Sequence, residues 1–345
     1  MHIYEYLFTA IIIVLILLSS STMISTISEP SHSTSEKEQL KVTAQKIMTQ
    51  ILLDPGNPSE WGSYVDINEN NLTTFGLAKY SETTREAYVL DPSKVLRLDS
   101  AIPSQFYISP SRVIDLLNLG YDYGFALEFY PALIVDYNAT TNEVSVNSQQ
   151  DGLPIWLANV YARMYYYNET SGQIESTFQI NTITGVNGTC IVDFGIHPEK
   201  KILILVVDYY GVRVMKVVDP SGSNVMRAYL LGNRLYGASN ISDNAIEIMV
   251  HRKAGRYAIE NVTYSTSKEN IEPTTVAILA LSDDSNQMIF APRLPVSDAS
   301  EEARLTYSSI QGVELSFPFA YSVERSVIIC GSAYIVRLYL WRMSF

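Results

Sequence analysis

Residues Tyr6–Ile27 have the sequence YLFTAIIIVLILLSSSTMISTI, and no other stretch constrains the expected architecture as strongly. The segment contains no charged residue and no proline, and apolar helix-forming residues dominate its first half. At a rise of about 1.5 Å per residue, a helix of this length crosses a hydrocarbon core of about 30 Å. We therefore expect a transmembrane helix over residues 1–28, followed by a larger and more polar part of the chain.

A cleaved secretory signal is the alternative for the same segment. Such signals start with a basic region, whereas Met1–Tyr6 (MHIYEY) contains no Lys or Arg, and the apolar run is long for a signal. The small residues Ser19–Ser21 would still suit a signal peptidase. Neither flank is strongly basic, so the distribution of Lys and Arg does not set the orientation in the membrane.

Composition narrows the class of protein. The chain has 345 residues, which suffice for about two or three domains, and 47% of them are hydrophobic. The net charge of −12 argues against a nucleic-acid partner, because nucleic-acid binding needs a basic patch. The 24 tyrosines outnumber the 11 phenylalanines, which is typical of half-buried strand faces. We therefore expect a β-rich protein that does not bind nucleic acid.

Six Asn-x-Ser/Thr sequons follow the apolar segment, and each is a candidate N-glycosylation site. Their asparagines are Asn71, Asn138, Asn168, Asn187, Asn240 and Asn261. In exported proteins such sequons mark surface positions. Their distribution therefore indicates an exported glycoprotein whose C-terminal part is extracellular.

The two cysteines, Cys190 and Cys330, both lie in or beside strand-like runs. An exported protein can form disulfides, so a bridge between these two residues is one interpretation. The alternative is a pair of buried thiols that pack as small hydrophobic side chains. Neither cysteine has a neighbouring His or basic residue in sequence that would make it catalytic.

The pattern after the apolar segment predicts a hinge and then a second helix. Residues Ser28–Ser35 (SEPSHSTS) contain Pro30 and small polar residues, which end the first helix. The next residues, Ser35–Leu53, place Leu40, Ala44, Ile47, Met48 and Ile51 on one apolar face. Asp54-Pro55-Gly56 should end this amphipathic helix. Short helices are expected to start at Pro92 and Pro110, each after a capping residue, and YGFALEFYPALIVDY (Tyr123–Tyr137) is expected to form a strand.

From Asn138 onward the chain shows strands of about five to eight residues separated by turns. This spacing predicts a small β-sandwich. The continuous apolar run Ile202–Val207 predicts a strand buried on both faces. The last strand, Tyr334–Arg342, should direct Val336, Leu338 and Leu340 to one face.

No common catalytic or metal-binding motif occurs in the sequence. GxGxxG, GxxxxGK[ST], GxSxG and HExxH are all absent. The four histidines, which are His2, His32, His197 and His251, have no spacing that predicts a shared metal or a triad. We therefore assign no catalytic residue, no cofactor and no metal ligand.

One loop has part of a calcium-binding pattern. Asp66-Ile-Asn68-Glu69-Asn70 resembles the start of an EF-hand loop, but Asn71 replaces the required glycine and Leu77 replaces the bidentate glutamate. A solvated turn is the simpler interpretation of this loop and of the Asp283-Asp284 loop.

The N-terminus resembles a known family. Tyr4-Glu5-Tyr6-Leu7, followed at once by the apolar run, is similar to the start of archaeal type IV pilins and archaellins. That resemblance implies helix packing in a membrane or filament, with Glu5 pairing with the N-terminal amine of a neighbouring subunit. The alternative is that Glu5 faces water at the membrane interface, because a lone carboxylate in lipid is costly.

Two further resemblances cover later segments. The series ILLDPGNPSEWG (Ile51–Gly62), FGLA (Phe75–Ala78), LDPSKVLRL (Leu90–Leu98) and LLNLGYDYGFALEF (Leu116–Phe129) is similar to archaeal membrane-anchored, pilin-like proteins. DGLPIWLANVYARMYYYNETSG and TGVNGTCIVDF, within residues 151–194, resemble immunoglobulin-like or transthyretin-like modules. The second resemblance implies a spacer or adhesive role rather than a reaction.

The expected fold class is therefore an N-terminal transmembrane helix, an amphipathic helix with a small α/β head, and a mainly-β ectodomain. The expected segments are 1–28 (transmembrane helix), 29–137 (amphipathic helix and head), 138–222 (immunoglobulin-like β-sandwich) and 223–345 (C-terminal β-domain). The expected location is the cell membrane, crossed once, with the C-terminal part extracellular.

The expected function is that of a non-enzymatic, pilin-like or pseudopilin-like archaeal surface protein. Its partners would be membrane lipid and other copies or pilin-like subunits. The alternative is a tethered adhesion module in which tyrosines and Trp156 or Trp341 contact surface glycans or proteins. A third hypothesis, a tethered hydrolase, would require two or more carboxylates that converge in a deep pocket.

Overall fold

A computed structural model provides the structure of the chain. It describes residues 36–82, 86–120, 122–195, 200–219, 225–232, 234–236, 245–263, 275–281, 288–294, 305–309 and 320–343.

The described residues are mostly β. Helix α1 covers residues 36–53, and two short helices follow it, α2 (Pro92–Leu96) and α3 (Pro110–Leu116). A single 3-10 turn covers Glu69–Asn71. The strands follow in the order β1 (Val89–Leu90), β2 (Tyr123–Pro131), β3 (Leu133–Asn138), β4 (Glu143–Ser148), β5 (Asn159–Asn168), β6 (Gln173–Ser176), β7 (Ile180–Ile183), β8 (Thr189–Ile191), β9 (Lys201–Tyr209), β10 (Val212–Val218), β11 (Val225–Arg227), β12 (Tyr229–Leu231), β13 (Arg234–Tyr236), β14 (Ile246–Lys253), β15 (Arg256–Thr263), β16 (Thr275–Leu281), β17 (Met288–Pro292), β18 (Leu305–Ser308), β19 (Tyr321–Ile329) and β20 (Ser332–Arg342).

Proline and a capping side chain begin each of the short helices. Asp91 accepts a hydrogen bond from the Ser93 backbone at the start of α2, and Ser109 does the same for Arg112 at the start of α3. In both helices proline occupies the first position, where its missing N–H costs nothing. The two predicted helix starts are therefore confirmed.

Helix α1 packs on a sheet that combines distant parts of the chain. The sheet has the order β1-β19-β20-β2-β18. Strand β2 pairs antiparallel with β20, with Leu127 opposite Leu338, and with β18 on its other edge. Met48 and Ile51 of α1 share one hydrophobic cluster with Leu127 and Leu338. The core next to α1 is therefore built from both ends of the described chain.

A second sheet lies between two other layers. It has the order β10-β9-β5-β6, with β7 also paired to β5. On β9, Leu203 and Leu205 pack towards the three-stranded sheet β3-β4-β8, whereas Ile202 and Ile204 join the cluster that contains α1. The run Ile202–Val207 is buried throughout. The prediction of a strand buried on both faces is therefore confirmed.

A third five-stranded sheet, β11-β17-β16-β14-β15, completes the layers. Its edge strand β15 faces the second sheet, whose side chains bind its backbone. Gln179 accepts a hydrogen bond from Ile259 N (2.8 Å) and donates one to Tyr257 O (2.9 Å). Arg163 donates to Ile259 O at 2.5 Å. These contacts satisfy backbone groups that an open strand edge would leave exposed.

The predicted fold class is wrong for the chain that the structure describes. Strand accounts for 49% and helix for 13%, so the β-rich description fits only the predicted ectodomain and not an α/β head. The reason is that α2 and α3 are too short to form a layer, while β2 takes its sheet partners from the C-terminal strands.

Among the described residues, no helix combines the length and the apolar character needed to cross a membrane. The predicted transmembrane segment at residues 1–28, Glu5 and the hinge Ser28–Ser35 lie outside the described residues. The main sheet joins β2, which lies in the predicted segment 29–137, to β18–β20, which lie in the predicted segment 223–345.

Candidate functional site

An exposed apolar surface lies at one end of the packed pair of sheets that contains β4, β5 and β7. Two segments that are hydrogen-bonded to each other through their backbones, 153–157 and 183–186, carry the exposed side chains of Leu153, Trp156, Leu157, Ile183 and Val186, and we call this set the Trp156 surface. Trp156 is 55% exposed and Val186 is 77% exposed. Side chains of this size and character are usually buried, and a group of them in one place usually marks a contact site.

Backbone hydrogen bonds bring the two segments of the Trp156 surface together. Leu157 N donates to Thr184 O (3.1 Å), and Thr184 N donates to Ala158 O (3.0 Å). The preceding loop is held to β4, because Ile155 N donates to Val146 O (2.9 Å). The loop that carries Trp156 is therefore tied to a strand on each side.

The hydroxyl of Thr184 also binds this loop, on the side that faces the protein interior. Its side chain is buried, accepts a hydrogen bond from Ala158 N (2.9 Å) and donates one to Ile155 O (2.7 Å). The two bonds go to residues on either side of Trp156 in the sequence, Ile155 and Ala158. They lie on the side of the loop that faces the protein interior. The indole is thus presented by a fixed backbone rather than by a free loop.

Leu157 adopts a left-handed backbone conformation, with φ of +62°. For a residue with a large side chain this conformation costs about 1–2 kcal/mol. The Thr184 contacts maintain this conformation and leave the Leu157 side chain 46% exposed.

The other two tryptophans have structural positions. Trp341 is 5% exposed and packs against Gly124, so it is not available for the binding role considered from the sequence. Trp61 is fully buried, and its indole N–H donates to Gly76 O (3.1 Å). Of the predicted tryptophan contacts, only Trp156 is placed where a partner can reach it.

Trp61 lies beside a buried lysine, Lys94, that binds the backbone of residues 55–78. Lys94 has no exposed surface, and its ammonium donates hydrogen bonds to the carbonyl oxygens of Pro55 (2.8 Å), Ser59 (2.7 Å) and Ala78 (2.8 Å). The ammonium also lies 5.9 Å from the centre of the Trp61 ring. Burial lowers the pKa of Lys94 to about 8, and nearby Asp91 opposes that shift.

Arg97, one helical turn further on, has an equivalent role. It is fully buried and donates to the carbonyls of Phe106 (2.8 Å), Trp61 and Ile67. The carbonyl partners of Lys94 and Arg97 lie outside the helices and the named strands, although Ala78 forms a bridge with Leu90 of β1. The two cations therefore bind backbone oxygens of irregular segments. Because both are enclosed and hydrogen-bonded, their chemistry here is structural.

The two cysteines are free thiols in separate clusters. Cys190 packs in the cluster between β4 and β9, and Cys330 packs in the cluster that contains α1. The disulfide considered from the sequence is therefore not formed in the structure. Burial raises the pKa of both thiols to about 11, so neither is a reactive thiolate at neutral pH.

The structure places five of the six candidate glycosylation sites. Asn71, Asn138, Asn187 and Asn261 are exposed, and Asn168 is half-buried. Asn138 and Asn168 end β3 and β5, and Asn187 lies in the turn before β8. Asn240 lies outside the described residues.

The loop with part of a calcium pattern is used to cap a helix. Asn68 caps the 3-10 turn, and Glu69 accepts hydrogen bonds from the backbone N (3.0 Å) and hydroxyl (2.6 Å) of Ser109 at the start of α3. Within the described ranges, no group of three or more His, Cys, Asp or Glu side chains is arranged to hold a metal ion. His2, His32, His197 and the Asp283-Asp284 loop lie outside those ranges.

A cleft that is open to solvent lies between β3 and β10. Among the described residues that line it, Asp136 is the one carboxylate, and it pairs with Lys216 at 2.9 Å. The hydrolase hypothesis required two or more carboxylates converging in a pocket, and this cleft does not provide that arrangement.

Sequence reasoning identified Trp156 but missed the other members of its surface. Leu153, Leu157, Ile183 and Val186 look like ordinary strand or turn residues in the sequence, and no pattern predicts the left-handed Leu157. The one available signal was Pro154 among four large apolar residues, Leu153 before it and Ile155, Trp156 and Leu157 after it, which is unusual for a loop. No known protein family, curated protein or solved structure matches the chain.

Proposed function

We propose that this protein is a non-enzymatic cell-surface protein, pilin-like or pseudopilin-like in its mode of attachment. The apolar segment Tyr6–Ile27 attaches the chain to the cell membrane, and the β layers lie outside the cell. Other copies or pilin-like subunits are its partners, with Glu5 as the assembly residue. The apolar composition of the segment and the exposed sequons support this location.

The Trp156 surface is the observation that carries the proposal. Burial of apolar surface stabilises the folded chain by about 25 cal/mol for each Å², and the exposed area of these side chains does not contribute this free energy. A strained Leu157 and a buried Thr184 nevertheless hold the loop in this exposed form. A surface that binds a partner explains both costs, whereas a passive spacer explains neither. The β-sandwich, immunoglobulin-like in this proposal, acts as the rigid support for that surface.

Cell fractionation tests the proposed location. Full-length protein should sediment with membranes, resist extraction by high salt and be released by detergent. An antibody to the β layers should label intact cells in electron microscopy. A variant that lacks residues 1–28 is the control and should not sediment with membranes. Recovery of the full-length chain as a soluble protein in the cytosol would contradict the proposal.

Adhesion is a second candidate function, favoured by the exposure of Trp156 in particular. In this case the Trp156 surface binds a surface glycan or protein from another cell. An array of glycans probed with wild type and with Trp156→Ala would then show selective binding that the substitution abolishes. Tyr210→Ala removes another exposed aromatic side chain, which lies in the β9–β10 turn, and should leave binding intact. Equal binding by all three proteins would exclude the adhesion role of Trp156.

A further inference from the structure

One of the sequons lies within the Trp156 surface itself. Asn187-Gly188-Thr189 belongs to a tight turn in which Gly188 N donates to Gly185 O (2.9 Å) and Gly185 N donates to Thr189 O (2.8 Å). Val186 and Asn187 are the two central residues of this turn, and both are exposed. Because Val186 belongs to the Trp156 surface, Asn187 lies directly beside that surface.

The side chain of Asn187 is oriented for modification. Its Oδ1 accepts a hydrogen bond from Thr189 N (3.3 Å), and within the described part of the chain no acceptor binds its amide nitrogen. Asn168 provides the contrast. Its amide nitrogen donates to Glu175 (2.8 Å), which also accepts from Ser171 (2.9 Å) and Tyr166 (3.0 Å). A sugar on Asn168 would crowd this network, whereas among the described residues a sugar on Asn187 displaces no hydrogen bond of its amide nitrogen.

The turn is packed against the loop that carries Trp156. Gly188 has a φ of +73°, and a Cβ at this position would lie 2.8 Å from Pro154 Cβ and 3.1 Å from Ile155 N. The O atom of Gly188 accepts a hydrogen bond from Val146 N (2.9 Å), and Val146 also binds the Ile155 backbone. This close contact needs glycine, and it fixes the position of Asn187 relative to Pro154 and Trp156.

We propose that Asn187 carries an N-linked glycan that lies over the Trp156 surface and controls access to it. The donor is a sugar activated by a phosphate ester. The bond between Asn187 Nδ2 and the sugar C1 forms, the bond between C1 and the phosphate oxygen breaks, and the amide proton leaves to a base. The apolar C–H face of a sugar packs on an indole, so the glycan covers side chains that are otherwise in water. This inference rests on the proposed export, because the glycan must be added outside the cytosol.

Tryptophan fluorescence gives a direct readout of this arrangement. Trp61 and Trp341 are buried and Trp156 is exposed, so quenching by acrylamide reports mainly on Trp156. We would produce the full-length chain in a host that N-glycosylates exported proteins and measure the occupancy of each sequon by peptide mass spectrometry. The variants are Asn187→Gln and Thr189→Ala, where the second removes the sequon but keeps Asn187. Asn138→Gln, which removes a sequon at another exposed turn, is the matched control.

In wild type we expect a sugar on Asn187 and low quenching of Trp156. Both variants that remove the Asn187 sequon should raise the quenching constant about twofold or more, because the indole loses its cover. Asn138→Gln should leave quenching unchanged. The inference is overturned if Asn187 is unmodified while Asn138 is modified, or if Asn187 is modified and quenching does not respond. Either result leaves the proposed location intact, since that depends on membrane fractionation.

Discussion

At the scale of single residues, Lys94 has the clearest energetic role. Its three hydrogen bonds go to carbonyl oxygens of residues that lie outside the helices and the named strands. Lys94→Met fills a similar volume but leaves those buried oxygens without a donor, which should lower the free energy of unfolding by about 3 kcal/mol. Urea denaturation followed by circular dichroism measures this change.

Lys41 provides the control for that measurement. Its side chain is 43% exposed and forms one surface ion pair with Glu38 at 3.9 Å. Lys41→Met should change the free energy of unfolding by no more than about 0.5 kcal/mol. If Lys94→Met were as mild as Lys41→Met, the assignment of Lys94 as a structural cation would be wrong.

The lowered pKa of Lys94 predicts an unusual dependence of stability on pH. The pKa is about 8 in the folded chain and 10.5 for an ordinary lysine, so between these values the unfolded chain binds one more proton than the folded chain. Stability must therefore rise with pH in this interval and fall as the pH decreases towards 8. From pH 8 to 9.5 the increase should be about 2 kcal/mol in wild type.

Urea titrations at several pH values test this dependence, and Lys94→Met serves as the reference. The variant has no group at this position to titrate, so its stability should be nearly flat over the same interval. A parallel slope in both proteins would assign the effect to other groups.

The sequence predicts a helix start in the segment Leu90–Leu98, but it does not predict the structural role of the two cations in that segment. In LDPSKVLRL (Leu90–Leu98) the Asp91-Pro92 pair predicts the start of helix α2, and the structure confirms it. Lysine and arginine are normally solvated, so no local pattern predicts that Lys94 and Arg97 are fully buried. Their carbonyl partners lie up to 39 residues away, and only the folded chain brings them together.

At the scale of elements, the turn between β19 and β20 anchors a neighbouring strand. Arg213 of β10 donates to Gly331 O (2.7 Å) and Cys330 O (2.8 Å). A Cβ on Gly331, where φ is +71°, would lie 1.7 Å from the Arg213 guanidinium. Gly331→Ala should therefore cost about 3 kcal/mol, because it adds backbone strain and displaces a charged donor.

Gly211 is a matched control in the β9–β10 turn. Its φ is +89°, but nothing lies within 4 Å of a Cβ at that position. Gly211→Ala should cost only the backbone strain, about 1 kcal/mol. Thermal unfolding of both variants and of Arg213→Ala/Gly331→Ala separates the two contributions, since the clash disappears without the arginine. Equal effects at Gly211 and Gly331 would refute the anchoring role of the turn.

Elements with a strong local signal were predicted well. The continuous apolar run of β9 correctly predicted a strand that is buried on both faces. The alternating pattern of β20 correctly predicted its inward face, on which Val336, Leu338 and Leu340 are fully buried. The segment IESTFQINTI (Ile174–Ile183) has the composition of one strand, but it forms two, β6 and β7, which both pair with β5. The break between them places Gln179 against β15, a tertiary contact that the local pattern does not encode.

At the scale of the whole molecule, sheet pairing over long sequence distances determines the layers. Strand β2 pairs with β20 about 210 residues later, and Phe125, Leu127 and Phe129 depend on that pairing for their burial. Sequence patterns identify both strands but carry no information about which strands are neighbours. The predicted head and C-terminal β-domain were consecutive segments of the chain. In the structure, one sheet combines strands from both segments.

This pairing predicts how fragments of the chain behave. Residues 36–222 contain two of the predicted segments and would fold alone if chain order defined the domains. In the structure this fragment lacks β18, β19 and β20, which leaves both edges of β2 open and one face of α1 without its partner. We expect it to show exposed hydrophobic surface by dye binding and no cooperative thermal transition, whereas residues 36–345 should unfold cooperatively. Adding residues 305–345 in trans as a peptide should restore part of the transition, because it supplies the missing strands. A fragment 36–222 that unfolds cooperatively on its own would show that the C-terminal strands are an accessory and not part of this core.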